Sequence, residues 1–257
     1  MTAGDWLVAV ATTGVGLFAG TVSALLGIGG AVISTPAIRL LGASPILAVG
    51  STVPAILPGT VAGSLRYARE GLVDWRVALS TGIAGSTFAL IGAWVSDFVP
   101  GGLLMLATAG LMLWSGVTVV RGGRRAVREE GDGRASVPVL AAAGAAAGFV
   151  AGVLGVGGGI VLVPVLTGPL RLPMKQAVAS SLVAVACFSI PAFVTHLWLG
   201  HIDWLYALPL ILGAVPGARI GARLTLRYTD RSVRRIFGLF VIVLAIVYGV
   251  SELVALL

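Results

Sequence analysis

Ten apolar stretches divide the chain. They lie near residues 6–27, 31–41, 45–66, 75–96 and 101–120, and then 138–155, 159–169, 174–197, 204–226 and 234–254. Eight come close to the ~20 residues that a helix needs to cross a hydrocarbon core. The other two, 31–41 and 159–169, are too short to span. Each follows a glycine cluster and ends near a loop, the pattern of a broken or re-entrant helix. The only clearly polar stretch, residues 121–134, is rich in Gly and Arg and cannot bury a core, so it reads as a solvated linker.

The linker divides two halves that repeat. Gly27, Gly29, Gly30 and Pro36 recur 128 residues later as Gly155, Gly157, Gly158 and Pro164. With one residue of slippage, Ser51-Thr52 pairs with Ser180-Ser181, Asp74-Trp75 with Asp203-Trp204, and Gly92-Ala93 with Gly221-Ala222. Four matches in one order at nearly one offset define a duplication: residues 1–120, a linker 121–137, and residues 138–257.

Composition fixes the solvent. Of 257 residues, 58% are hydrophobic and 11% charged, and the mean hydropathy is +1.04. A soluble domain of this size cannot hide that much apolar surface, which leaves an all-α, polytopic membrane protein in a lipid bilayer. The single cysteine, Cys187, excludes an intramolecular disulfide and a cysteine-based metal cluster. The net charge of +7 reflects arginine-rich loops rather than nucleic-acid binding. No positive residue precedes the first apolar run, so a retained first helix is expected in place of a signal peptide.

Those arginines also orient the chain. They cluster at Arg66, Arg69 and Arg76, in the linker, at Arg171 with Lys175, and at Arg227, Arg231, Arg234 and Arg235. The N-terminus, the loop at Asp97, the loop at His201 and the C-terminal tail carry none. Arg39 is the one exception. Positive residues mark the cytoplasmic side, so both termini are expected outside and the linker inside. The halves then have opposite topology. Inverted repeats with interrupted helices are a recurring transporter design, with the substrate near the midplane where the breaks meet.

The candidate chemistry follows from that design. Gly29 and Gly30 in one half, with Gly157, Gly158 and Gly159 in the other, open backbone N–H groups at the start of a short helix, where an anion is favoured. Ser51, Thr52, Ser180 and Ser181 could add hydroxyl donors, or could bond back within their own helices. Asp74 and Asp203 suit helix N-caps beside interfacial tryptophans. Arg219 lies at or near membrane depth and favours an anionic substrate, with Arg223 a turn closer to the headgroups. All ten acidic residues fall in loops or at helix ends, which argues against a cation pump. His196 and His201 are two titratable groups at the outer end of one helix. No metal-ligand cluster, catalytic triad motif or Walker loop is present, so the chain reads as a transporter without enzymatic activity, metal or cofactor.

The duplicated Gly-x-Gly-Gly-[Gly/Ala]-x-x-x-x-Pro, at 27–36 and 155–164, resembles the TauE/SafE sulfite exporter family of membrane permeases. So do Ile202-Asp203-Trp204 and the run Gly217 to Leu224. The match covers both halves. It implies a prokaryotic inner-membrane permease for small sulfur-containing anions such as sulfite, thiosulfate or sulfonates. Proton coupling is compatible with that class, and it leaves the oligomeric state open. A transporter for another small solute and a non-transport membrane scaffold are the alternatives.

Overall fold

The computed structural model describes residues 3–96, 98–99, 101–122, 135–154 and 157–256. Most of the expected linker, together with Asp97, Gly155 and Val156, lies outside them. Among the described residues there are ten α-helices and no strand. They are α1 (Ala3–Leu26), α2 (Ala31–Leu40), α3 (Pro45–Arg69), α4 (Trp75–Ser96) and α5 (Gly101–Gly122), then α6 (Val137–Leu154), α7 (Gly159–Thr167), α8 (Met174–Trp198), α9 (Trp204–Arg227) and α10 (Asp230–Leu256). Seven of these are long and apolar enough to cross a membrane. Helix α5 has the length of an eighth span, and its apolar stretch Leu106–Arg121 lies among the fully described residues.

The expected boundaries hold to within a few residues. The largest difference is at α10, which starts four residues early. Thr229 Oγ1 accepts from the backbone N–H of Ser232 at 3.2 Å and so caps a first turn made of polar residues. Asp74 and Asp203 are caps as well. Asp74 Oδ1 accepts from the Val77 N–H at 3.1 Å, and Asp203 Oδ1 from the Leu205 N–H at 2.9 Å.

Glycine decides how the helices pair. Gly16 and Gly20 of α1 meet the backbone of Leu210 and Ala214 in α9, while Gly217 and Gly221 meet Leu17 and Thr21 in return. The registers rise together, so the helices run parallel. Gly144, Gly148 and Gly152 of α6 meet Thr81, Gly85 and Ala89 of α4 in the same way. Lipid is as apolar as leucine, so membrane helices gain little from hiding leucine and associate by close approach over small residues. Helix α1 thus pairs with α9, and its repeat equivalent α6 pairs with α4, the equivalent of α9. The pattern recurs elsewhere: α3 packs on α9, and α8 on α4.

Candidate functional site

Helix α1 stops at Leu26 because Gly27 (φ +73°) and Gly29 (φ +81°) enter the left-handed region, where only glycine sits without strain. Gly157 (φ +78°) does the same before α7. A helix end exposes carbonyls without partners, and a helix start exposes N–H groups. The protein treats the two differently here. Tyr67 Oη of α3 donates to the Ala24 carbonyl at 2.7 Å. Thr225 Oγ1 of α9 donates to the Leu25 carbonyl, and Ser181 Oγ of α8 to the Gly27 carbonyl, both at 3.1 Å.

The repeated prolines add one orphan carbonyl per half. Pro36 has no N–H for the carbonyl four residues earlier, on Val32, and Pro164 has none for Ile160. Tyr248 Oη of α10 donates to Val32 O at 3.1 Å, and Ser115 Oγ of α5 to Ile160 O at 2.6 Å. These five carbonyls are therefore covered. The donors are not: among the described residues, no acceptor meets the N–H groups of Gly30, Ala31 and Val32, or of Gly159 and Ile160. Neither Gly30 nor Gly158 places a side-chain cap before its short helix.

The two breaks touch. A Cβ on Gly157 would lie 3.1 Å from the Ile28 carbonyl and 3.7 Å from Gly29 Cα, and a Cβ on Gly159 would fall on the Gly27 carbonyl. Gly29, Gly157 and Gly159 thus pack backbone on backbone, and their missing side chains are used for that contact. Gly158 faces the Phe188 ring. Gly30 alone of the five lines free space, with the nearest atom to its missing Cβ at 3.7 Å.

Three of the four expected hydroxyls bond across the repeats. Ser51 Oγ accepts from the Asp203 N–H at 2.8 Å, and its equivalent Ser180 Oγ accepts from the Asp74 N–H at 3.0 Å. Both serines are fully buried. Ser181 holds Gly27. Thr52 stays on its own half, donating to Val49 O at 2.8 Å with Thr35 Oγ1 at 3.2 Å. Arg219 lies on an exposed face of α9, away from the cleft lined by Gly30 and Thr52.

The free space beside Gly30 is a narrow cleft between α1, α2, α3 and α9. Ser23, Gly30, Ser34, Thr52, Gly59 and Thr60 shape it. Of these, only Gly30 and Thr52 follow from the sequence motifs. Ser34, Thr52 and Thr60 each donate to a carbonyl of the preceding turn, at 2.8–2.9 Å. Ser23 is 5% exposed, and its hydroxyl has no partner among the described residues. A site of this kind, with neutral walls, open N–H groups and one free hydroxyl, can hold a small anion and release it. No group of three or more His, Cys, Asp or Glu placed to hold a metal ion occurs among the described residues.

Comparison with known proteins agrees with this architecture. The family model described as Sulfite exporter TauE/SafE matches residues 12–248. A probable membrane transporter protein of Xylella fastidiosa (strain 9a5c) is 30% identical over 249 residues, covering 92% of this chain and 93% of its own. The probable membrane transporter protein YunE of Bacillus subtilis (strain 168) is 28% identical, covering 89% and 93%. The probable membrane transporter protein MJ0441 of Methanocaldococcus jannaschii is 22% identical over the same shares. No solved structure matches the chain.

Proposed function

The chain belongs to the sulfite exporter TauE/SafE family of membrane transporters, and from that premise we propose that it carries small sulfur-containing anions, such as sulfite, thiosulfate or organosulfonates, past the two glycine breaks near the membrane midplane. One observation carries this reading: at the breaks every orphan carbonyl named above is capped by a hydroxyl, while the N–H groups stay open. Capped acceptors with open donors leave a positive local field, which suits an oxyanion and repels a cation. Gly30 and Thr52 face the anion. Gly29, Gly157 and Gly159 bring the breaks together, Gly158 makes room for the Phe188 ring, and Ser51, Ser180 and Ser181 hold the halves in register. Arg219 shapes the field at the inner mouth. Uptake of labelled sulfite by proteoliposomes, set against an uncharged solute of similar size, tests the reading. Sulfite should enter and the neutral solute should not. Entry of the neutral solute alone would make this a transporter of another class, and entry of neither would favour a scaffold.

The exchanged pairs, α1–α9 with α6–α4 and Ser51–Asp203 with Ser180–Asp74, support an inverted repeat. With the arginine distribution, they support a reading with both termini outside a prokaryotic inner membrane and the linker in the cytoplasm. An Asp132→Cys variant in a Cys187→Ser background should resist an impermeant thiol reagent in intact cells. Labelling from outside would overturn the orientation.

A further inference from the structure

The two halves repeat in sequence motifs and in helix pairing, yet their chemistry differs around the cleft described above. The repeat offsets, 128 residues in α1/α6 and 129 in α3/α8, give each lining residue a twin. Gly30 corresponds to Gly158 and Thr60 to Ser189, but Ser23 becomes Ala151, Ser34 becomes Leu162 and Gly59 becomes Phe188. The Phe188 ring fills the twin space. It lies where Gly158 and Gly85 lack a Cβ, and it is 4% exposed. In the first half, a Cβ on Gly59 would meet only Ala214, at 3.5 Å, so the absence of a side chain there keeps the cleft open.

Charge and hydrogen-bond polarity then narrow the ligand. None of the lining residues carries a charge. The described charged or titratable side chains of the four surrounding helices, such as Arg39, Arg66, Tyr67, Tyr206 and Arg219, lie outside the lining. The N-terminus of α2 contributes the equivalent of about half a positive charge, too little to balance a dianion out of water. Ser34, Thr52 and Thr60 give their protons to carbonyls of their own helices, so any bond they make to a ligand is one they accept. Ser23 keeps its proton. The cleft thus offers donors for an anion and acceptors for a ligand that itself bears a proton.

Resting on the permease reading above, we propose that this cleft, kept open by Gly59, binds a proton-bearing monoanion: hydrogen sulfite rather than sulfite dianion. The substrate then carries its own proton, and no carboxylate of the protein is required. The test is the affinity of the purified, monodisperse protein for sulfite, measured one pH unit below and one above the second ionisation of sulfite. Binding should weaken by about tenfold across that interval, following the fraction of hydrogen sulfite. Methanesulfonate, a monoanion with no proton to donate, should bind more weakly than hydrogen sulfite but with an affinity that does not change across the interval. A parallel loss of methanesulfonate binding would assign the effect to a protein group, such as the neighbouring rings of His196 and His201, and would overturn the inference. Sulfite affinity that stays flat with pH would also overturn it while leaving the permease reading intact. Absence of any sulfur-anion binding would remove both. Ser23→Ala and Thr60→Ala should each weaken sulfite by about tenfold or more, as loss of a bond to a charged ligand does, and Gly59→Val should abolish binding. Ser189→Ala, the twin of Thr60→Ala, should leave affinity unchanged. Equal effects of the two alanine variants would place the ligand elsewhere.

Discussion

Replacing Gly148 with leucine is expected to leave no monodisperse protein. Gly148 sits where α6 runs parallel to α4, and a Cβ there would fall on the Gly85 backbone. Gly144 and Gly152, one turn to either side, are pressed against Thr81 and Ala89 in the same way. The leucine cannot turn aside, because what it meets is main chain rather than the flexible end of a side chain. The helices must separate along their length, and the lost contacts have no hydrophobic substitute in lipid. Overpacking in a well-packed core costs about 1–3 kcal/mol, and a full side chain driven into a backbone interface exceeds that. Gly110→Leu is the matched control. No atom lies within 4 Å of its missing Cβ, and the position is exposed on α5. Removing a helix-interior glycine should stabilise the helix there by up to about 1 kcal/mol. Size-exclusion profiles and thermal unfolding of the two variants should diverge sharply. A monodisperse Gly148→Leu with the parental melting temperature would mean that α4 and α6 do not pack in this register.

The sequence carries the helices, the duplication and the breaks, because each is a local signal: apolar length, a repeated motif, a proline. Their partners are a different matter. The hydroxyls of Ser51 and Ser180 stand beside glycine-rich motifs and read as ligand donors. Their oxygens accept from the backbone N–H groups of Asp203 and Asp74, residues 152 and 106 positions away. No local pattern encodes that separation. Gly158 reads as a point of close ligand approach, but the space beyond it belongs to Phe188. Arg219 reads as a deep cation, yet the glycine face of α9, through Gly213, Gly217 and Gly221, turns toward α1 and leaves the arginine on an exposed face. One missed signal was available. Extending the repeat alignment beyond Ser51-Thr52 sets Gly59 against Phe188 and Thr60 against Ser189. That pairing marks where the halves part company in chemistry. Ser23 and Ser34 were open to the same comparison, since their twins are Ala151 and Leu162.

The same contrast between the halves leads to the second large effect, at Gly159. Its repeat equivalent is Ala31, so one half already tolerates a methyl group at this position. The other cannot, because a Cβ on Gly159 would fall on the Gly27 carbonyl and lie 2.7 Å from Ile28 Cα. That carbonyl is pinned from the far side by the Ser181 hydroxyl, itself bonded to Val178 O at 3.0 Å. It cannot yield without freeing Ser181 and shifting the start of α7. Gly159→Ala should therefore push the breaks apart, lower stability by about 1–3 kcal/mol, and reduce sulfite transport at least tenfold, since the open N–H groups no longer share one field. Gly30→Ala separates the two consequences. Its new methyl group meets Ala19 at no less than 3.7 Å and φ there is −76°, so the fold should keep its melting temperature. The methyl group nevertheless borders the cleft and should weaken anion binding. If Gly159→Ala matches the parent in both melting temperature and transport, the two breaks do not meet through Gly159 and Gly27, and their contact is not what assembles the site.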